Sequence, residues 1–309
     1  MKQIFKQVKN FIFDKQIRFG YLSTLGFYNW IPDNIYLKKE FKVRIGNELN
    51  LNNPQTFNEK IQWLKLYDRH PEYTMMVDKY AAKQYVASKI GDDYIIPTLG
   101  VWTKFDDIDF DKLPNQFVLK CTHDSGGLVI CKDKSTLDIN AAKRKIEHCL
   151  KRKYYYIHRE WPYKNVPPRI IAEKYMTDNA NSSTTNETLK DYKFYCFDGK
   201  VRFLMINSDR NSKMSTKADY FDRDFNWLDF TWGYEHANVR PVKPDCFDEM
   251  ISISEKLSKG LPHVRVDLYE CNGQIYFGEL TFYDGSGFDK IEPIEWDYKI
   301  GKMLKLPSK

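Results

Sequence analysis

Several features that often reveal the class of a protein are missing from this 309-residue chain. It has no run of 18 or more apolar residues and no N-terminal segment with the long apolar region of a signal peptide, which predicts a cytoplasmic protein. None of its six cysteines form a pair with CxxC spacing, so we expect them to be reduced and mostly buried. The net charge of +6 is too small to indicate nucleic-acid binding, although it suits an anionic ligand.

The overall composition is that of a globular protein. Hydrophobic residues make up 42% of the chain and charged residues 29%, both ordinary for a globular protein. Aromatic residues reach 16%, which favours a sheet-rich core or a site that stacks planar ligands. The length predicts two domains, or one domain with large additions.

The N-terminal segment is basic and amphipathic. Within residues 1–18, apolar side chains recur at helical spacing and four lysines lie between them. Such a helix can lie on the inner face of an anionic membrane, and it can equally pack on its own core or on a partner chain. The sequence leaves these alternatives open.

The predicted elements change in character along the chain. Residues 1–90 are mainly helical, with a capping box at 56–59 and a second helix from about Asp78 to Gly91. Short strands with interspersed helices follow, the first at 94–96, and then antiparallel hairpins. The polar stretch at 179–188 is predicted to be a mobile loop. This order predicts an α+β fold and not a regular βαβ repeat.

One segment near the C-terminus carries charges in a pattern typical of two paired strands. An Asn-Gly turn signal at 272–273 separates Arg265 and Asp267 from Glu279 and Thr281. Because side chains alternate along a strand, pairing can bring Asp267 and Glu279 together on one face. Such charges are costly to bury without a partner, and Mg²⁺ with attached phosphate oxygens would supply one. A salt-bridged hairpin facing water is the alternative.

A second pattern is typical of phosphate binding. Lys120 ends one predicted strand, and a loop containing Ser125, Gly126 and Gly127 leads to the next. Glycine lets backbone amides approach an anion closely, and the lysine adds a point charge. The motif is not a Walker loop, because GxxxxGK[ST] is absent, and Ser-Gly-Gly also makes ordinary hairpin turns.

Two weaker signals flank this loop. Lys79 lies near the start of a predicted helix, where it is either a phosphate contact or a solvated side chain. Glu173 ends an apolar strand and is followed by Lys174, Tyr175 and Met176; such a strand end can bind a purine through its backbone while the carboxylate takes ribose hydroxyls. A strand-end charge facing water is the alternative for Glu173.

The order of these signals resembles the ATP-grasp fold, in which two α+β subdomains close on ATP. The segments at 53–63, 78–80, 117–121 and 191–200 resemble its TupA-like branch, which is associated with bacterial surface polysaccharide and teichuronopeptide synthesis. The resemblance runs from about residue 51 to 304. With it, the chain divides into a basic helical region (1–50), a helical or α+β part (51–115), a lid subdomain (116–176) and a C-terminal subdomain with the metal site (177–309).

The resemblance also implies roles for individual residues, with ATP and Mg²⁺ as cofactors. Arg265 and Lys120 would be catalytic, and Asp267, Glu279 and Thr281 would bind the metal. The nucleotide contacts would come from Lys79, Lys120 and Lys193, the lid residues Ser125, Gly126 and Gly127, and the adenosine-flanking residues Glu173, Lys174, Tyr175 and Met176.

Two departures from the pattern matter. Thr281 stands where many ATP-grasp enzymes have a metal-binding Asn, which puts a second metal in doubt. The lid is poorer in glycine than usual, and His123 and Asp124 within it have no role in general ATP-grasp chemistry; His123 either contacts an acyl phosphate or caps a turn.

The function implied is a ligase that activates a carboxylate as an acyl phosphate, which an amine then attacks. The substrates would be a surface-polysaccharide sugar or its precursor and an amino compound. Asp222-Arg-Asp224 is a DxD sequence of the kind used by glycosyltransferases, and it keeps a nucleotide-sugar transferase as an alternative. A non-catalytic nucleotide-binding assembly protein is the third.

Overall fold

The computed structural model describes residues 11–177, 190–208 and 216–308. The predicted loop at 179–188 and the first ten residues lie outside these ranges. None of the helices in the described ranges has the length and apolar composition needed to cross a membrane. All six cysteines are free, and all but the half-buried Cys246 are buried.

The first part of the described chain is helical, as predicted. Thr56 and Glu59 form the predicted capping box, each side chain accepting the other's backbone N–H at 3.1 Å. The predicted helix at Asp78 begins three residues later, because the Asp78 side chain accepts the Tyr80 N–H at 3.0 Å and holds a turn. The helices are α1 (Lys15–Thr24), α2 (Asp33–Arg44), α3 (Phe57–Tyr67), α4 (Pro71–Val77) and α5 (Ala81–Ile90).

A four-stranded antiparallel sheet follows, here called the small sheet. Its strands are β1 (Thr98–Trp102), β2 (Phe117–Cys121), β3 (Leu128–Cys131) and β4 (Ile170–Lys174), in the order β1-β4-β2-β3. Helix α6 (Ile139–Leu150) packs its apolar side on β2 and β3, and the short helix α7 (Tyr155–His158) leads on toward β4. The strand expected at 94–96 is wrong: a 3₁₀ turn spans Asp92–Tyr94, and Ile95 forms a single parallel bridge.

A six-stranded antiparallel sheet, the large sheet, forms the centre of the molecule. Its strands are β5 (Lys190–Phe197), β6 (Lys200–Ser208), β7 (Lys217–Asp222), β8 (Trp227–Leu228), β10 (His263–Cys271) and β11 (Gln274–Thr281), in the order β11-β10-β5-β6-β7-β8. Helix α8 (Phe247–Ser258) packs on β5, β6 and β10. A third sheet pairs β9 (Thr231–Trp232) with β12 (Ile291–Glu292), and α9 (Ile294–Met303) packs against α3.

The two larger sheets have separate apolar cores. Strand β1 belongs to the small sheet, so this sheet includes residues 98–102 as well as strands from the predicted lid subdomain. Every ladder between strands is antiparallel in the described ranges, which confirms the predicted α+β class.

Candidate functional site

The β10–β11 hairpin forms with the predicted register. Its turn residues Asn272 and Gly273 have φ of 53° and 75°, as a type I′ turn requires. Asp267 lies opposite Glu279, and Arg265 lies opposite Thr281. The alternate residues of β10 point into the core, so the polar side chains share the other face.

A β-bulge at Gly278 sets the direction of Glu279. Asp267 pairs with Glu279 whereas Leu268 pairs with Phe277, which leaves Gly278 as the extra residue. A Cβ at Gly278 would lie 3.0 Å from the Asp267 carbonyl oxygen, so the bulge favours glycine. The bulge lets Phe277 pack in the core while Glu279 faces the site, and glycine inside a strand was the sequence signal for it.

Asp267 is buried between two cations. Its Oδ1 accepts from Arg265 Nε and its Oδ2 from Arg265 Nη2, both at 2.7 Å, and Lys193 Nζ reaches Oδ2 at 2.5 Å from the neighbouring strand β5. Burial alone would raise the pKa of this carboxyl group, but Arg265 and Lys193 outweigh burial and lower the pKa. Lys193 also pairs with Asp191 at 2.7 Å. The predicted site residues Arg265, Asp267 and Lys193 are therefore in direct contact.

Arg265 contacts two further carboxylates. Its Nη2 lies 3.3 Å from Glu279 Oε1, and its Nη1 donates to Asp284. Asp284 also accepts a hydrogen bond from the Tyr195 hydroxyl group. Sequence reasoning missed Asp284, which lies three residues after Thr281 in the loop that leaves β11.

The donor groups on the large sheet fit a hard divalent cation. Glu279 Oε1 accepts from Arg265 and from Thr281 Oγ1 at 3.3 Å, but its Oε2 accepts no hydrogen bond from a described residue, and 43% of the side chain is exposed. Asp267, Glu279 and Asp284 all contact Arg265, and Asp267 also contacts Lys193.

Protein ligands alone would not complete such a site. Within the described ranges, no three His, Cys, Asp or Glu side chains are grouped so that they could hold a metal ion. Mg²⁺ commonly takes one or two protein carboxylates and fills its other positions with phosphate oxygens and water. The arrangement of Asp267, Glu279 and Thr281 suits that kind of binding.

The small sheet supplies a second cluster of buried charges. Glu173 Oε2 lies 2.5 Å from Lys120 Nζ, and its Oε1 lies 2.5 Å from Lys83 Nζ. Burial opposes ionisation of Glu173, but the two lysines outweigh it and lower the pKa. Lys83 also donates to the Ile96 carbonyl group at 2.6 Å, and its burial lowers its own pKa.

This cluster changes the interpretation of Glu173. The sequence interpretation assigned its carboxylate to ribose hydroxyls, whereas here both oxygens pair with lysines and orient Lys120. Lys83 was missed, although it lies one helical turn after Lys79. Beyond Glu173, the side chain of Lys174 is exposed, and those of Tyr175 and Met176 are half-buried. The Thr177 carbonyl group then accepts from Asn272 Nδ2 at 3.1 Å, which connects this strand end to the large sheet.

The loop between β2 and β3 is anchored at its base. His123 Nε2 donates to the Arg152 carbonyl group at 3.3 Å, and burial lowers the pKa of His123. Asp124 is buried, its Oδ1 accepts the Gly127 N–H at 3.3 Å, and its carbonyl oxygen accepts from Lys79 Nζ at 2.7 Å. His123 and Asp124 thus have structural partners, and Lys79 binds the loop through the Asp124 carbonyl group.

Only the tip of this loop is exposed. Ser125 and Gly126 face solvent, and Gly126 has φ of 120°. A Cβ at Gly127 would lie 2.6 Å from Cys121 Sγ, so this position has no room for a side chain. Residues 122–124 and Gly127 are therefore packed, whereas Ser125 and Gly126 are exposed.

The DxD sequence forms a turn. Asp222 Oδ1 accepts the backbone N–H groups of Asp224 and Asn226 at 2.9 and 2.8 Å, and its Oδ2 accepts from Asn226 Nδ2 at 3.0 Å. These bonds explain Asp222 as the residue that closes the β7–β8 connection. Asp224 is exposed.

Comparison with known proteins gives one family and one fold. A family model described as TupA-like ATPgrasp matches residues 59–305. No curated protein sequence matches this chain significantly. The match and the mixed helix and sheet architecture give the chain the ATP-grasp fold.

Several solved structures are similar at low sequence identity. D-alanine–D-alanine ligase from Bacillus anthracis complexed with ATP is 18% identical with a TM-score of 0.41, over 67% of this chain and 55% of that chain. D-alanine–D-alanine ligase from Helicobacter pylori is 13% identical with a TM-score of 0.44, over 81% and 69%. D-cycloserine synthetase DcsG is 13% identical with a TM-score of 0.39, over 75% and 71%. This chain therefore spans little more than half of the B. anthracis ligase.

Proposed function

The chain belongs to the TupA-like ATP-grasp family, and we propose that it is an ATP- and Mg²⁺-dependent ligase that joins a carboxylate to an amine. The observation that carries the proposal is the cluster on the large sheet, where Arg265 contacts Asp267, Glu279 and Asp284 beside the free oxygen of Glu279. This arrangement combines a cation for a transferring phosphoryl group with oxygen ligands for a metal.

The reaction would proceed in two steps. A substrate carboxylate oxygen attacks the γ-phosphorus of ATP, the bond from that phosphorus to the β–γ bridging oxygen breaks, and ADP leaves. An amine nitrogen then attacks the acyl carbon, the carbon–oxygen bond to phosphate breaks, and phosphate leaves with the electron pair as the nitrogen loses its proton. Mg²⁺ held by Asp267, Glu279 and Thr281 would offset charge on the β- and γ-phosphate oxygens.

The other side chains would position the nucleotide. Lys79, Lys120 and Lys193 would contact its phosphates, with Ser125, Gly126 and Gly127 as the lid. Arg265 would stabilise the charge that develops on the transferring group. Residues 173–176 would flank the adenosine, with Glu173 acting through Lys120 and Lys83, whose ammonium groups it holds.

The substrates are proposed from the family association. A uronic acid or amino acid of a bacterial surface polysaccharide or its precursor would supply the carboxylate, and an amino compound the amine. Nucleotide-sugar transfer is less well supported, because Asp222 already accepts three hydrogen bonds within a turn.

A thermal-shift panel with ATP, ADP, UDP-sugars and CDP-sugars, each with Mg²⁺, tests the proposal. A nucleotide present at 100 times its Kd should stabilise the protein by about 2.7 kcal/mol. We expect ATP and ADP to raise the melting temperature. In the Glu279→Gln variant this rise should no longer depend on Mg²⁺. A shift with a sugar nucleotide and none with ATP or ADP would refute the ligase function.

Peripheral contact with the inner face of the membrane through residues 1–18 is part of the proposal. Residues 1–44 contain nine Lys and Arg against three Asp and Glu, while the other 265 residues contain 39 of each. Exposed large apolar side chains are frequent in the described part of this region: Ile12, Phe13, Ile17, Tyr21, Leu25, Phe27, Trp30 and Ile35.

A basic surface with exposed aromatic residues suits an anionic bilayer. The protein should sediment with phosphatidylglycerol vesicles at low salt and remain in the supernatant with phosphatidylcholine vesicles. Phe13→Ala with Ile17→Ala should weaken sedimentation, whereas Val239→Ala, which removes an exposed apolar side chain outside the N-terminal region, serves as the control. Equal sedimentation with both lipids, or with neither, would contradict membrane contact.

A further inference from the structure

A pocket of about 480 Å³ lies between the N-terminal helices and the segment that follows β11. Its lining includes Arg44 at the end of α2, Tyr234 after β9, residues 288–290 and Glu292. Its volume is within the range of pockets that bind small molecules, about 300–1,000 Å³. None of the residues assigned to the nucleotide or the metal lines this pocket.

The pocket adjoins the proposed phosphoryl-transfer site. Asp284, which accepts a hydrogen bond from Arg265, and the pocket residue Asp289 belong to the same loop. Asp289 lies against Gly285, where an added Cβ would be 2.4 Å from Asp289 Oδ2. Because Gly285 directly follows Asp284, these two contacts connect the pocket wall to Arg265.

The pocket is lined by charges of both signs that are not paired with each other. Arg44 Nε donates to Glu40 at 3.0 Å, but the two terminal nitrogens of Arg44 make no hydrogen bond to a described residue. The side chains of Lys290, Asp289 and Glu292 likewise have no ion pair or hydrogen-bond partner in the described part of the chain. Two cations and two carboxylates therefore face the pocket with free bonding capacity.

The geometry points to this pocket as the acceptor site of the ligase, with a zwitterionic amino acid as its ligand. Arg44 and Lys290 would bind the carboxylate of the acceptor, and Asp289 and Glu292 its ammonium group. This inference rests on the proposed function, because the acceptor's nitrogen must reach the acyl group beside Arg265. The ammonium group gives up one proton before attack and a second as the amide forms.

The experiment measures ligand binding, which does not require the donor substrate. Saturation-transfer NMR is recorded on the full chain with ADP and Mg²⁺, using the common L-amino acids, D-glucosamine and D-glucuronate as probes. The two sugars each carry only one of the two charged groups. At least one amino acid should bind, and both sugars should bind far more weakly or not at all.

Three variants test the assignment of the pocket. Asp289→Asn and Lys290→Gln change exposed side chains and should each weaken amino-acid binding about tenfold, as expected for the loss of one charge-assisted hydrogen bond. The exposed Asp111→Asn on another part of the surface is the matched control and should bind like the wild type. All three should retain the thermal shift produced by MgADP.

The outcomes separate the two proposals. If MgADP produces no shift, the proposed function fails first. If MgADP binds but no amino acid does, or if binding is unchanged in Asp289→Asn and Lys290→Gln, the acceptor pocket is wrong while the nucleotide site stands. Equally strong binding of D-glucuronate would also overturn the zwitterion assignment.

Discussion

The variants Asp267→Asn and Glu279→Gln each remove one carboxylate, and comparing them should distinguish the loss of metal binding from the loss of fold stability. Both changes remove a proposed metal ligand, so both should abolish the Mg²⁺-dependent part of the nucleotide thermal shift. Their effects on the fold should differ, because Asp267 is buried between two cations whereas 43% of the Glu279 side chain is exposed.

The expected magnitudes follow from these environments. Asp267→Asn leaves Arg265 and Lys193 buried with less compensating charge, and breaking a buried pair in this way costs about 3–5 kcal/mol. Asn keeps one hydrogen-bond acceptor, and both cations keep other carboxylates, which places the expected loss near ~3 kcal/mol. Glu279→Gln loses a partly exposed contact worth ~0–1 kcal/mol. Asp267→Asn is therefore expected to fold with lower stability, whereas Glu279→Gln should remove a metal ligand at little cost to stability.

Thermal unfolding without nucleotide measures the difference. At about 2–4 °C per kcal/mol, Asp267→Asn should lower Tm by about 6–12 °C and Glu279→Gln by less than about 4 °C. Urea unfolding gives the same comparison as a free energy. An Asp267→Asn protein that unfolds at the wild-type temperature would refute the reasoning, because Asp267 would then not be needed to compensate the buried cations.

Three further predictions concern single residues. Lys120→Ala should remove the protection from hydrogen exchange that MgADP gives to Ser125 and Gly126, the exposed tip of the lid loop; protection that is complete without nucleotide would contradict a lid role. Burial lowers the pKa of His263 from 6.5 to about 4. Because the unfolded chain binds the proton more readily between these pH values, the unfolding free energy should fall by up to about 3 kcal/mol as the pH drops from 6.5 to 4. Urea titrations at several pH values measure this fall, and it should be smaller in His263→Phe. Asp222→Asn should leave MgADP binding unchanged, and a loss of binding with a normal Tm would revive the DxD interpretation.

The predictions from sequence succeeded where the signal was local. The capping box at 56–59 and the Asn-Gly turn each depend on a few neighbouring residues, and the structure shows both. The turn fixes the pairs from Cys271 with Gln274 to Leu268 with Phe277. A regular ladder from the turn would place Asp267 opposite Gly278, and the bulge at Gly278 shifts the register by one residue, which brings Asp267 opposite Glu279.

The predictions failed where a contact joins distant parts of the chain. Lys83, Lys120 and Glu173 come from a helix and two strands, and no local pattern marks Lys83 as their third member. Asp124 appeared to be part of an exposed loop, yet Arg152 lies 3.5 Å from its carboxylate and Lys79 binds its carbonyl group. Such partners are fixed by tertiary packing, which sequence spacing does not encode.

The charges on the two sheets give a physical reason why a bound nucleotide would need a divalent cation. On the small sheet, Glu173 pairs with both Lys83 and Lys120, so two ammonium groups share one carboxylate.

On the large sheet, the carboxylates of Asp267, Glu279 and Asp284 all contact Arg265, so three negative charges lie around one guanidinium group. A triphosphate is attracted to the first surface and repelled by the second unless a divalent cation lies between them. The metal requirement of the proposed reaction therefore follows from the asymmetry of the two sheets, and it would hold even if Thr281 were not a ligand.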